Sequence, residues 1–176
     1  MENIFYNNWE QELAYQFVTN DKSRKRAYIC SPLSDPQEEN YVGNMYAARE
    51  YMFYALKTMD LNTRAPHAYL PMLLRDHIPE ERVLGLVFGL RLLECCDLML
   101  ICGNRVSNGM RGEIEKAAEL GLMMVVFHEP LFEEVRRIVI KSGGEEVSVC
   151  LDLKHPAMAS GSPAAFLEQA VLTEKS

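Results

Sequence analysis

The chain has no surplus of positive charge. Its 18 Lys and Arg stand against 25 Asp and Glu, a net charge of −7. Without a basic excess there are few counterions to release from a phosphate backbone, which argues against nucleic acid as a partner. The one basic cluster, Lys22 to Arg26, reads as a solvated flank. No apolar run reaches the length of a bilayer span, so no membrane partner is expected. The start, Met1-Glu-Asn-Ile-Phe-Tyr-Asn-Asn, lacks a basic segment leading into an apolar one, so no signal peptide is expected either. The five cysteines include no C-x-x-C pair and read as buried thiols of a reducing cytoplasm. The four histidines have no ligand spacing, so no metal is expected. Three motifs are also missing. Without G-x-x-x-x-G-K-[ST], a phosphate-cradling nucleotidase of that kind has no support. No G-x-G-x-x-G follows the first strand, which weakens a dinucleotide oxidoreductase, and no G-x-S-x-G elbow marks a serine hydrolase. No cofactor is expected.

What is present centres on Asp97 to Gly121. Leu98 to Cys102 is a continuous apolar run, as in a strand buried on both faces of a parallel sheet. A polar turn follows, then apolar positions Met110, Ile114, Ala117, Ala118 and Leu120 near helical spacing, closed by Gly121. A strand feeding such a turn aims the first helical amides beyond the sheet edge, which makes an anion site. Ser107 lies in the turn and Glu113 one turn into the helix. Both also have ordinary explanations: Ser107 as a cap, and Glu113 as a macrodipole partner able to pair with Lys116.

The rest of the chain alternates strand and helix. Trp9 to Val18 reads as a short amphipathic helix and Arg26 to Cys30 as the first strand. The strand ends in the turn-rich Ser31-Pro-Leu-Ser-Asp-Pro36, where Ser31, Ser34 and Asp35 are candidates to touch a ligand. Asn40 to about Met59 reads as a long helix whose five aromatic rings exceed one buried stripe, which points to a subunit contact. Arg64 to Tyr69 reads as a second strand carrying His67 to the ligand edge. Pro79 to Glu94 is helical and apolar on most sides, with Gly85 and Gly89 on one face suited to close packing in an oligomer. Leu122 to Phe127 and Glu146 to Leu151 supply two more strands around a helix from Leu131 to Lys141. At 176 residues this predicts a single α/β domain with a doubly wound, parallel, five-stranded sheet, flavodoxin-like or Rossmann-like in order. The α/β domain is placed at residues 25–152, after an N-terminal helix and basic flank at 1–24. A tail follows at 153–176, with a candidate helix from Pro163 to Leu172, which either crosses to a neighbouring subunit or frays. The ligand crevice is expected between the first and central strands.

Tyr28-Ile-Cys-Ser-Pro, Asp97 at the head of the central strand, and Ser107-Asn-Gly-Met-Arg-Gly-Glu113 together resemble the nucleoside 2-deoxyribosyltransferase superfamily, including the 2'-deoxynucleoside 5'-phosphate N-hydrolases. The resemblance spans Lys25 to Val126. It implies that Glu113 is the nucleophile attacking the anomeric carbon and that Tyr28 lies beside it. It also implies that Ser107 helps hold a 5'-phosphate, as in the hydrolase branch, where transferase members carry an aspartate. The first loop would contact the nucleotide, with Asp97 counted among the binding positions. A phosphate or sugar hydroxyl would sit against Ser107 and the amides of Asn108, Gly109 and on to Gly112, with Arg111 or Arg105 supplying charge. The chain departs from the family at one place. An aspartate acting on the leaving base is expected eight positions ahead of Asp97, and Gly89 stands there. Glu94 lies on another face of that helix, which leaves Asp76 and His67 as groups that could approach from other loops.

Two functions follow as expectations. One is an enzyme that cleaves or transfers the N-glycosidic bond of a nucleoside, deoxynucleoside or 5'-monophosphate through Glu113. The other is a binding or sensor module that keeps the same pocket without turnover. A small nucleoside or nucleotide is the expected partner, in a homodimer or higher homo-oligomer.

Overall fold

In the computed structural model, the structure describes residues 23–33, 41–75 and 77–160. The expected helix at Trp9 to Val18, the loop residues Ser34 and Asp35, Asp76 and the candidate helix from Pro163 lie outside them. The elements are β1 (Arg26–Cys30), α1 (Tyr41–Thr58), β2 (Asn62–Arg64), α2 (Pro79–Glu94), β3 (Leu98–Ile101), α3 (Asn108–Glu119), β4 (Met123–Val126), α4 (Glu129–Lys141) and β5 (Val149–Leu151). All strand pairings are parallel, in the order β2-β1-β3-β4-β5. This is the flavodoxin-like arrangement, with its switch point between β1 and β3.

β3, β4 and β1 from Ala27 onward are apolar because both faces of the sheet are covered, whereas the edge strand β2, Asn62-Thr63-Arg64, is buried but polar. Tyr28 and Cys30 on β1 face one layer with Met99 and Ile101, beneath α2, α3 and α4. Ala27 and Ile29 face the other with Leu98 and Leu100, beneath α1. A short turn of 3-10 helix, Pro156–Ala159, joins that second layer by burying Met158 completely. The Gly103 amide donates to the Met158 carbonyl at 2.8 Å, and the Tyr51 hydroxyl donates to the Ser160 carbonyl. The start of the tail therefore returns to its own sheet.

Two strands differ from their expected spans: β2 is Asn62–Arg64 instead of Arg64 to Tyr69, and β5 is shorter than Glu146 to Leu151. β2 stops at Arg64, and Pro66 to Ala68 winds into a 3-10 turn, since Pro66 has no amide for a ladder. In the fifth segment, Glu146 to Ser148 is also 3-10 and only Val149 to Leu151 pairs. One sequence expectation about packing is corrected as well. Gly85 and Gly89 face their own chain: a Cβ on Gly85 would sit 3.6 Å from Leu74, and one on Gly89 would sit 3.3 Å from the Tyr28 hydroxyl. The aromatic rings of α1 divide: some pack within their own chain, whereas Tyr46 stays 57% exposed. Tyr51 is buried, the Arg49 guanidinium lies 5.1 Å from the Tyr46 ring and 4.9 Å from Tyr69, and Tyr54 meets His155 edge-on. Of the five thiols, Cys30, Cys96 and Cys102 are buried, whereas Cys95 and Cys150 are exposed. Among the described residues no helix is long and apolar enough to cross a membrane.

Candidate functional site

The switch point places β1 and β3 side by side, and the loops that leave their carboxyl ends diverge to opposite layers. Gly103, just past β3, takes φ +86, a left-handed conformation, and a Cβ there would press within 3.2 Å of Pro32 in the loop after β1. Glycine thus lets the two loops approach closely.

α3 starts at this edge. Ser107 is its N-cap, and its hydroxyl oxygen accepts from the Met110 amide at 3.3 Å. The Ser107 amide in turn donates to the Met110 sulfur at 3.4 Å. The capping explanation for Ser107 therefore holds, yet the hydroxyl hydrogen is not consumed by it. Asn108 and Gly109 are exposed in the first turn. The exposed Arg111 pairs with Glu134 of α4 at 3.4 Å.

Glu113 points the other way, into the protein. Its Oε1 accepts from the Tyr28 hydroxyl at 2.8 Å, and the Cys30 thiol is a second donor. Lys116, the partner expected of a surface glutamate, pairs instead with Glu94 and Glu119. Burial of the carboxyl raises Glu113 to about 7, against the opposing pull of the two donors. Burial, followed by the Glu113 charge and their mutual hydrogen bond, pushes Tyr28 well above the usual phenol range. Cys30 is raised well above its usual range by burial first and by Glu113 next. Both groups stay protonated as donors at neutral pH, and Glu113 is the member of the trio that titrates there.

A second pair lies beside the first. Ser31 follows Cys30 in the chain, and His67 follows Pro66, which stands 3.6 Å from a Cβ on Gly89. Ser31 Oγ and His67 Nε2 are 2.7 Å apart. Burial lowers His67 to about 4, so its imidazole is neutral at pH 7. With the ring hydrogen on Nδ1, Ser31 is the donor; with it on Nε2, His67 is. Gly89 completes the wall: the helix backbone comes so close to the Tyr28 hydroxyl that a larger side chain would crowd it.

The structure thus joins Tyr28, Cys30, Ser31, His67, Gly89 and Glu113 into one neighbourhood, with Ser107, Asn108 and Gly109 at the head of the same helix. It does not bring Asp97 there. Asp97 precedes β3 at the amino edge of the sheet, where it clamps Arg26: its carboxylate accepts from the Arg26 amide at 2.7 Å and from the guanidinium at 3.1 and 3.2 Å. That ion pair holds Asp97 below the usual carboxylate range. Glu94, at the far end of α2, is bound to Arg91 and Lys116 and cannot stand in for the missing acid. Sequence reasoning missed Cys30 as a site group, because a cysteine closing an apolar strand looks like core. It also passed over His128, which follows β4 at the carboxyl edge and whose Nδ1 is buried without a hydrogen-bond partner among the described residues. No cluster of three or more His, Cys, Asp or Glu able to hold a metal occurs among the described residues.

No curated protein and no solved structure matches the chain. Residues 25–127, from the approach to β1 through the end of β4, match the model of a family described as a domain of unknown function (DUF7768), and the chain belongs to that family.

Proposed function

We propose that the protein cleaves or transfers the N-glycosidic bond of a nucleoside, a deoxynucleoside or a 5'-monophosphate of either, with Glu113 as the nucleophile. The observation that carries this reading is the Tyr28–Glu113 hydrogen bond at the switch point, on a carboxylate turned inward and raised to about 7. An unused glutamate at this helical position would turn outward to Lys116.

In the reaction a Glu113 carboxylate oxygen forms a bond to the anomeric carbon as the bond from that carbon to the base nitrogen breaks. The electron pair leaves with the base, which takes up a proton from solvent. The oxygen of water, or the nitrogen of a second base, then bonds to the anomeric carbon as the Glu113 ester bond breaks, gives up its proton to solvent and restores the free carboxylate. Tyr28 holds the attacking carboxylate in place. The Ser31–His67 pair is the donor set we assign to the departing base, supplying a hydrogen bond from a neutral group. A 5'-phosphate fits the first-turn amides of α3 and the spare hydroxyl hydrogen of Ser107.

A second reading is favoured by one residue. Gly89 leaves no carboxylic acid where the resembling enzymes have one, so a pocket that binds a nucleotide without turning it over is the alternative. Free-base release, followed by chromatography over a panel of ribo- and deoxyribonucleosides and their 5'-monophosphates, separates the two. Release from monophosphates alone supports hydrolysis with phosphate recognition, and exchange only with an added base supports transfer. Glu113→Ala should lower turnover by about 10³-fold or more while ligand binding changes little. Turnover that survives in this variant removes Glu113 as the nucleophile. Thermal stabilisation by nucleotides with no release from any of them leaves the binding reading.

A further inference from the structure

The outer side of α2 is apolar where most helices are polar. Val83, Leu84, Leu86, Val87 and Phe88 are each 49–59% exposed, on a helix whose buried residues are only Gly89 and Leu93. A contiguous exposed apolar face on a folded domain marks an interaction surface.

The face has a charge order that selects its occupant. Glu80, Leu84, Val87 and Arg91 follow one another at spacings of four, three and four, so they form a single stripe along the helix. The stripe is acidic at its first position, apolar in the middle and basic at its last. Arg91 is largely exposed, with its side chain 77% accessible even while touching Glu94. Two such stripes laid antiparallel about an axis between Gly85 and Leu86 are complementary at every position. Leu84 opposes the partner's Val87 and Glu80 opposes the partner's Arg91, with Val83 and Phe88 on the two flanks of the stripe. A parallel pairing would set Glu80 on Glu80 and Arg91 on Arg91. We infer that α2 is the interface of a two-fold homodimer, with the helices antiparallel and Glu80–Arg91 ion pairs closing both ends.

This inference is independent of the proposed chemistry, because the stripe lies on the side of α2 opposite Gly89. It also differs from the expectation that Gly85 and Gly89 line the subunit contact: those two glycines pack inward, and the branched and aromatic residues face out.

Sedimentation equilibrium on the full chain, from about 1 to 100 µM, tests it. The expected species is a dimer of twice the 20.1 kDa chain mass. Glu80→Arg and Arg91→Glu each place like charges opposite one another and should weaken dimerisation about tenfold or more at low salt. The double variant Glu80→Arg/Arg91→Glu restores both pairs in reverse and should return the dissociation constant to within a few-fold. Leu84→Asp should give a monomer with unchanged circular dichroism. A wild-type monomer across the whole range overturns the inference. So does a dimer that is indifferent to Leu84→Asp, or a double variant no tighter than the single ones.

Discussion

At the scale of single residues, Glu113 and Tyr28 are coupled through one hydrogen bond, and the coupling has measurable consequences. Between the ordinary carboxylate value of 4.5 and about 7, the folded protein holds the Glu113 proton that the unfolded chain has released. Stability therefore falls as pH rises through this window and levels off above it. Glu113→Gln removes the titration, so urea denaturation should show it more stable than wild type by about 1–3 kcal/mol at pH 8 and little changed at pH 4.5. Equal stabilities at pH 8 would mean the carboxyl is not enclosed. Tyr28→Phe takes away a donor that lowers Glu113, so the value for Glu113 should rise. If turnover needs the carboxylate, the rising limb of the pH–rate profile should move to higher pH and the rate at pH 7 should fall by about 10–100-fold. A profile that keeps its midpoint would separate Tyr28 from Glu113. Neither partner could be assigned to the other by spacing alone, since 85 positions separate them.

At the scale of elements, the sequence was most legible where physics acts locally. Pro79 begins α2 and the helix ends at Glu94, as the N1 preference of proline and the following Cys95-Cys96-Asp97 approach to the strand predict. The apolar run at Leu98 gives β3, and Ser107 caps α3. The second strand lies ahead of its expected place, sharing only Arg64 with it, and the fifth is shorter than expected, because residue type says nothing about whether a neighbouring strand offers a ladder. The glycine pair after α4 shows the same division. Gly143 takes φ +79, which a turn signal announces, whereas Gly144 is needed for packing. A Cβ on Gly144 would lie 2.8 Å from the Val139 side chain and 2.9 Å from Ala118, wedging α4 from α3. Gly144→Ala should cost about 1–3 kcal/mol of stability by overpacking, measured by chemical denaturation. A neutral result would show that this junction yields freely.

At the scale of the whole molecule, closure of the second layer depends on residues far along the chain. Met158 is fully buried against the α1 face, although it belongs to a segment whose Pro, Ala, Ser and Gly content suggests a loose tail. Met158→Ala removes a side chain from a filled layer and should cost about 2–4 kcal/mol. A change below about 0.5 kcal/mol would show the segment to be dispensable and would return it to the status of a fraying end.

Sequence alone determined the class of fold, because alternating buried strands and helices of these lengths close best as a parallel doubly wound sheet. It also determined where a helix head stands at the carboxyl edge of the sheet, since caps and apolar periodicity are local properties. Tertiary structure decided which way Glu113 turns, that Ser31 meets His67, and that Asp97 serves the amino edge through Arg26. Those outcomes depend on strand order and on which edge of the sheet a residue occupies. Neither is written in the spacing of residues along the chain, because pairing across the sheet is set by the burial of all five strands at once.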